Sequence, residues 1–358
     1  MTEREAMARA LELAWRGWGR VHPNPLVGAV VLAGNGEPVG EGWHAEYGGP
    51  HAEVAALAAA GGRAHGSTVV CTLEPCDHHG KQPPCTGALL AAGVRRVIAA
   101  LPDPDPAAAG GAAHLRAAGV EVQLGLVADE AAAQNAAFLH RHRDPSRPFV
   151  ALKLATTIDG RIADANGHSR WLSGERAREF VHWLRAGFEA IGIGGVTARS
   201  DDPMLTVRGP VEPRVAPRRV VFAADGDLPA TLRLVRMARD IQTVAVVSPA
   251  VPSQRLTHLD RAGVAIVTAA TPGAALAELR AMGIGSLLVE GGGRLAGALL
   301  ADGLVDRYYW IQTPLWLGVG AIPAVAGLPT TPLAEAHRWR VTDRRPLGED
   351  TLLVLDRP

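Results

Sequence analysis

Four residues in the first quarter of the chain have types and spacings suited to hydrolytic chemistry. His51 and Glu53 stand two positions apart, Cys76 follows Pro75, and Cys85 lies nine positions beyond Cys76. One imidazole and two thiolates suit zinc and leave a fourth tetrahedral position open, which marks a catalytic site rather than a closed structural one. Zinc held there lowers the pKa of coordinated water to about 7, and Glu53, beside the ligand set rather than part of it, can move the proton. His-x-Glu followed by Pro-Cys and a second cysteine is the zinc-deaminase pattern, although in its short form the cysteines stand three apart. Small buried thiols and a helix-start histidine account for each residue singly, but not for their conjunction. Cys71, inside an apolar run, reads as a core thiol.

The elements that must position these groups follow from periodicity and turn residues. A helix spans Thr2–Gly19 and the rigid turn His22-Pro-Asn-Pro25 follows it. Strands at Val27–Leu32 and Pro38–Trp43 flank a hairpin turn at Gly34-Asn-Gly36. His51–Ala60 reads as a helix, Ser67–Leu73 as a buried strand, Thr86–Ala92 as a helix and Arg95–Leu101 as a strand. Helices at Ala107–Ala118 and Ala128–Arg141 surround a strand at Val120–Leu124. This alternation predicts a layered α/β domain whose helices cover a largely parallel sheet. The polar, proline-punctuated run 143–148 marks a boundary, giving domains at 1–144 and 149–358. The second domain repeats the α/β pattern, with strands at Phe149–Ala155, Ala190–Gly194, Arg218–Ala223, Thr243–Ser248, Val264–Thr268 and Ser286–Glu290. Helices fit Gly174–Ala186, Gly273–Met282 and Arg294–Ala301. The strand-rich end, Asp306–Leu317 and Trp339–Leu355, reads as antiparallel edge strands.

Composition narrows the function. The 358 residues are 47% hydrophobic and 20% charged, with 36 basic and 36 acidic residues, so no bulk positive charge invites nucleic acid. Three cysteines are too few for a disulfide framework. The acidic start Met1-Thr-Glu-Arg-Glu5 lacks the pattern of a signal peptide, and no apolar run is long enough for a membrane span. A cytoplasmic protein is expected. Only two of the 36 basic residues are lysine, Lys81 and Lys153. Where arginine has replaced lysine almost everywhere, the two survivors mark places that either need a compact ammonium or escaped by chance.

A second constellation lies late in the chain, where Ser286–Glu290 runs into Gly291-Gly-Gly-Arg-Leu-Ala296 and a helix. Glycines at a strand-to-helix turn let backbone N–H groups approach a phosphate. The turn satisfies the loose dinucleotide fingerprint, but it lies outside a first βαβ unit and no acid stands about twenty residues on. A true Rossmann domain is not expected.

Taken together, the motifs His22–Pro25, Gly40-Glu-Gly-Trp-His44, Pro50–Glu53 and Thr72–Cys85 resemble the deaminase half of bifunctional riboflavin-biosynthesis deaminase/reductases, which carry the long cysteine spacing. Lys153–Ile162, Ser169-Arg-Trp171, Leu184-Arg185-Ala186, Thr197–Arg208 and Val289–Gly292 resemble the reductase half. The resemblance implies an N-terminal cytidine-deaminase-like three-layer domain followed by a dihydrofolate-reductase-like α/β domain. It implies zinc on His51, Cys76 and Cys85, proton transfer by Glu53, and pyrimidine, ribose or phosphate contacts from Asn24, His44, His78 and Lys81. NADPH would be lined by Ala155, Trp171, Thr197, Asp201 and the turn Gly292, Gly293, Arg294, Leu295, Ala296, Gly297 and Ala298. Ser169, Arg185, Leu205, Arg208 and Glu290 would contact the substrate, Arg185 and Arg208 as a forked phosphate clamp. Lys153 would orient or protonate the opening sugar; the alternative is a buried lysine paired with an acid such as Glu290.

By the same resemblance the partner is a small phosphoribosylated pyrimidine, with no nucleic acid and no membrane, and the chain forms a homo-oligomer, dimer or tetramer. Departures from the family pattern are Asp77, Gln82 and Asp105, where serine, threonine and asparagine are commoner, together with Ala223-Ala224 and Trp316. They bear on substrate detail and cofactor affinity. The alternative function keeps the deaminase and makes the C-terminal domain a non-catalytic binding or oligomerisation module.

Overall fold

The computed structural model describes Met1–Pro358. The chain separates into two compact units, Met1–Arg143 and Asp144–Pro358. No helix is long and apolar enough to cross a membrane.

The first unit holds strands β1 (Gly28–Leu32), β2 (Pro38–Trp43), β3 (Thr68–Cys71), β4 (Arg96–Ala99) and β5 (Glu121–Leu124), in the spatial order β2-β1-β3-β4-β5. Its helices are α1 (Glu3–Ala14), α2 (Ala52–Ala60), α3 (Cys85–Ala91), α4 (Gly111–Ala117), α5 (Ala128–Gln134) and α6 (Ala136–Arg143). The sheet is mixed rather than largely parallel: β1 runs antiparallel to both β2 and β3, and only β3, β4 and β5 run parallel. The tight turn at Gly36, with φ of +81°, can join β1 to β2 only as an antiparallel pair. α2 then carries the chain across β1 to β3.

Glycines set the layers. A β-carbon on Gly28 would strike the backbone of Ala10 in α1. On Gly40 or Gly42 it would strike the backbone of α2 at Ala52, Ala56 and Ala60. Gly42 pairs with Ala29 and therefore projects to the face opposite Gly28, so α1 and α2 cover opposite sides of the sheet. The helix expected over Ala128–Arg141 is broken at Asn135. That buried side chain accepts from the Leu26 N–H at 2.8 Å and donates to the Leu26 carbonyl at 2.9 Å, while the Asn135 backbone N–H bonds the Ala131 carbonyl as the C-cap of α5.

The second unit holds β6 (Phe149–Thr157), β7 (Arg161–Ala163), β8 (Ala190–Gly194), β9 (Arg218–Phe222), β10 (Thr243–Val247), β11 (Ala265–Thr268), β12 (Ser286–Glu290), β13 (Arg307–Thr313), β14 (Ile322–Pro323), β15 (Arg340–Leu347) and β16 (Asp350–Asp356). Nine of them form one sheet, ordered β11-β10-β9-β8-β12-β6-β13-β16-β15, and β7 pairs with β14. Its helices are α7 (Glu175–Ala186), α8 (Gly195–Asp201), α9 (Arg233–Arg236), α10 (Ser253–Ala262), α11 (Pro272–Ala281) and α12 (Gly293–Ala301). Alternate residues feed two cores. Val220, Val244 and Val246 point to one face, and Val221, Ala245 and Val247 to the other.

The end of the chain differs from the expected pair of antiparallel edge strands. β13 is an interior strand, parallel to β6, because α12 precedes it as a crossover; only β15 and β16 form the antiparallel margin. α8, α9 and α10 have no counterpart in the sequence reading. In α10 only Leu256 and Leu259 are buried among the strongly apolar residues, too sparse a stripe to stand out.

Because the α2 backbone cannot retreat from β2 without losing the sheet's cover, Gly42→Ala should destabilise the first unit by about 1–3 kcal/mol. Gly34→Ala, which meets no atom within 4 Å, serves as the neutral control in urea denaturation.

Candidate active sites

In the first unit the metal-ligating side chains converge because two helices begin at one place. His51 is the N-cap residue of α2, Cys85 is the first residue of α3, and Cys76 lies on the loop leaving β3. His51 Nδ1 stands 3.3 Å from Cys85 Sγ and 3.4 Å from Cys76 Sγ, and the three ligand atoms all fall within 4.8 Å of one another. Donors about 2.0–2.3 Å from a tetrahedral zinc lie about 3.5–3.8 Å apart, so the donor set fits that ion. Hydrogen bonds from Cys85 and His51 hold the Cys76 thiol well below its ordinary range, and the shared bond together with burial pushes Cys85 up. The backbone N–H of Cys85 also donates to Cys76 Sγ at 3.5 Å.

Glu53, in the first turn of α2, is 3% exposed, and burial pushes its carboxyl up to about 7. It reaches the Cys85 thiol. A carboxyl poised near neutrality beside a metal site is suited to taking up and returning a proton.

Around this centre, His44 Nδ1 donates to the Pro50 carbonyl at 3.0 Å, which leaves Nε2 to accept from Asn24 Nδ2 at 3.1 Å. Burial lowers the His44 pKa, so the ring is neutral and its tautomer is set by these two bonds. The loop between the cysteines folds back on residues 47–48. Lys81 Nζ sits 4.1 Å from the Tyr47 ring centroid, and Gln82 Nε2 donates to the Gly48 carbonyl at 2.8 Å. His78 Nδ1 is buried without a partner, while His79 is exposed.

In the second unit the middle of β6 and the C-terminal end of β12 bring Lys153 and Glu290 side by side in register. Arg185 of α7 forks onto Glu290 through Nε at 2.6 Å and a terminal nitrogen at 2.8 Å, and its other terminal nitrogen donates to the Thr206 carbonyl at 2.9 Å. Burial works against the Glu290 charge, but Arg185 and then Lys153 outweigh it and hold the carboxyl below its ordinary range. Burial lowers the Lys153 pKa, against the pull of Glu290. Arg208 is exposed, and its backbone N–H donates to His182 Nδ1 at 3.2 Å.

The remaining sequence-derived positions fall nearby in part. A β-carbon on Gly292 would lie 3.3 Å from Thr197 Oγ1, so the glycine turn and the start of α8 adjoin. Arg170 donates to the Asp201 carbonyl at 3.3 Å. Trp171 is 74% exposed, with the Arg178 guanidinium 4.8 Å from its ring centroid. Ala155 lies on β6 and is half-buried, Ser169 is half-buried, and Leu205 is buried with φ of +52°. Gly293 and Gly297 are required by packing, since β-carbons there would strike the carbonyls of Pro323 and Ala326. Along this turn Arg294 is exposed, Leu295 and Ala298 half-buried and Ala296 buried.

Residues 148–353 match the family model described as the RibD C-terminal domain, and residues 1–101 match the cytidine and deoxycytidylate deaminase zinc-binding region. The chain belongs to the RibD family. The riboflavin biosynthesis protein RibD of Escherichia coli strain K12 is 38% identical over 99% of both chains. The solved structure of Acinetobacter baumannii RibD superposes with a TM-score of 0.84 at 35% identity, over 99% of this chain and 98% of that one. A Thermotoga maritima diaminohydroxyphosphoribosylaminopyrimidine deaminase/5-amino-6-(5-phosphoribosylamino)uracil reductase superposes at 0.83, with 31% identity and 99% coverage of both. This RibD chain is therefore a bifunctional enzyme of riboflavin biosynthesis, joining a cytidine-deaminase-like, zinc-binding deaminase domain to a dihydrofolate-reductase-like reductase domain.

Within the RibD framework, sequence reasoning passed over His182 and Asp103. His182 lies three residues before Arg185 on α7 and so on the same helix face; burial, then Arg185 and Arg208, lower its pKa. Asp103 is raised by burial and its charge reaches His51. Spacing on α7 could have found the first; nothing local marks the second.

Glu290→Gln strips the carboxylate from the forked, largely buried Arg185 and should destabilise the second unit by about 3–5 kcal/mol in urea at neutral pH. Because the folded Glu290 pKa is depressed, the parent keeps this contribution above the ordinary value of 4.5 and loses it as pH falls through the lower folded value. The penalty of the variant should shrink over that acidic window.

Proposed function

We propose that the first unit hydrolytically deaminates 2,5-diamino-6-hydroxy-4-(5-phosphoribosylamino)pyrimidine, and that the second reduces the ribosyl side chain of the product to ribityl with NADPH. The observation that carries the first step is the convergence of His51, Cys76 and Cys85 with the buried Glu53 beside them. Bound to those three residues, zinc supplies a Lewis acid that makes water nucleophilic near neutral pH. Glu53 takes the proton from the attacking water and delivers it to the departing amine, a role that suits a buried carboxyl standing beside the three ligands. Asn24, oriented by His44, addresses the pyrimidine. Lys81, at the tip of the loop between the cysteines, offers a point charge to the phosphate, and His78 brings an unpartnered nitrogen to the same loop.

In the second unit NADPH supplies the hydride. Ala155, Trp171, Thr197, Asp201 and the turn from Gly292 to Ala298 receive the cofactor, and the adjacency of Thr197 and Gly292 supports that grouping. Ser169, Leu205, Arg208 and Glu290 receive the substrate. Arg185 has committed one donor of each nitrogen to Glu290 and Thr206, so it contributes to phosphate binding only through the two N–H groups left over. Arg208 carries more of that task. Lys153 holds the sugar oxygen as the ring opens, and its neighbour Glu290 keeps the ammonium in place.

A coupled assay with the diaminopyrimidine substrate and NADPH, following ammonia and nicotinamide absorbance together, tests both halves. Glu53→Gln should lower ammonia release at least about 100-fold while zinc content stays at the parent level. The same variant should oxidise NADPH normally when given the deaminated intermediate. Lys153→Arg should show the reverse, with ammonia release intact and NADPH oxidation reduced on the order of 100-fold, because a planar guanidinium cannot stand for a compact ammonium on a buried strand. Ample ammonia with no NADPH oxidation by the parent would make the second unit a binding module.

A further inference from the structure

The residues that follow the two cysteines are tied to each other. Thr86, immediately after Cys85 and fully buried, donates its hydroxyl to Asp77 Oδ1 at 2.6 Å, and Asp77 immediately follows Cys76. The same oxygen accepts from His114 Nδ1 of α4 at 2.7 Å. A carboxylate only accepts, so the His114 proton is on Nδ1. Two backbone bonds complete the knot: Thr86 N–H to the Cys76 carbonyl at 3.3 Å, and Asp77 N–H to the Ala108 carbonyl at 3.1 Å. The eight-residue loop that presents His78 and Lys81 is therefore closed at its base by one carboxylate oxygen, and α4 braces that oxygen from outside. Asp77 is also one of the positions where the chain departs from its family's commoner serine. A serine side chain is shorter and uncharged, and could not anchor both donors as strongly.

We propose that Asp77, Thr86 and His114 form a positioning clamp that sets the separation of Cys76 and Cys85, and with it the protein's hold on its metal. None of the three touches substrate or ligates the ion; they act through the two thiols. The clamp rests on the reading that His51, Cys76 and Cys85 hold zinc. Groups that hydrogen-bond a metal ligand directly typically change metal affinity about 10–100-fold when removed; these act one residue further out, so the lower end of that range is expected. His114 is half-exposed on the surface of α4, so it can be replaced without opening the core.

The experiment follows release of zinc from the loaded full-length protein to a chromogenic chelator, with circular dichroism confirming the fold. His114→Ala should release zinc about 10-fold faster than the parent. His114→Asn, whose amide N–H can reach the same oxygen, should return the rate to near the parent value. Asp77→Ala, which loses both contacts, should release zinc faster than His114→Ala. Should that variant fail to fold, the two His114 variants still decide the matter. A folded His114→Ala protein that holds zinc as long as the parent, or an asparagine variant no better than the alanine one, overturns the clamp alone. A parent that takes up no zinc overturns the reading beneath it.

Discussion

Close contact between α2 and the two glycines of β2 is the constraint on which the first unit's chemistry depends. His51 caps α2 and Glu53 occupies its first turn, so wherever that helix lies the metal ligand and the proton carrier lie too. Side chains at Gly40 or Gly42 would lift α2 off the sheet, because the atoms in the way are backbone and cannot rotate aside. A helix start also concentrates N–H dipoles at the site, which favours thiolate and carboxylate over their neutral forms. Burial opposes that preference for Glu53, and the balance leaves the carboxyl near 7. The same low-dielectric pocket thus supplies both a ligand cage and a group able to exchange protons.

The second unit solves a related problem with an anion between cations. Glu290 lies on an interior strand with Lys153 on one neighbouring strand and Arg185 reaching in from a helix. Arg185 and Glu290, each largely removed from water, offset one another's desolvation. The register of β6 and β12 places the Lys153 amine beside the end of β12, where burial opposes its charged form, Glu290 favours it and Arg185 opposes it. Lys153 stands in register beside Glu290, whose charge works against the loss of the lysine's proton on burial. The glycine-rich turn after Glu290 likewise has two duties. Gly291 and Gly292 take positive φ values, whereas Gly293 and Gly297 let α12 lie against the chain at Pro323–Ala326.

Much of this was legible before any coordinates. The zinc donor set and the placement of Glu53 follow from residue type and spacing, and the α/β alternation follows from apolar periodicity and turn residues. What escaped had little local signal. α10 carries too few apolar residues to register, and the break at Asn135 depends on a loop 109 positions away in sequence. The direction of β13 depends on α12 crossing over β6, a connection that the strand-rich end of the sequence does not itself display.

The amino-acid sequence by itself determined the chemistry available: one imidazole, two thiolates, a neighbouring carboxyl and two surviving lysines, because metal and proton chemistry depends on atom types that local spacing reveals. Tertiary structure alone decided which charges meet. The fork of Arg185 on Glu290 spans 105 positions, and the bond from His114 to Asp77 spans 37. Such pairings form only when separate elements pack, and no periodicity in either segment announces its partner.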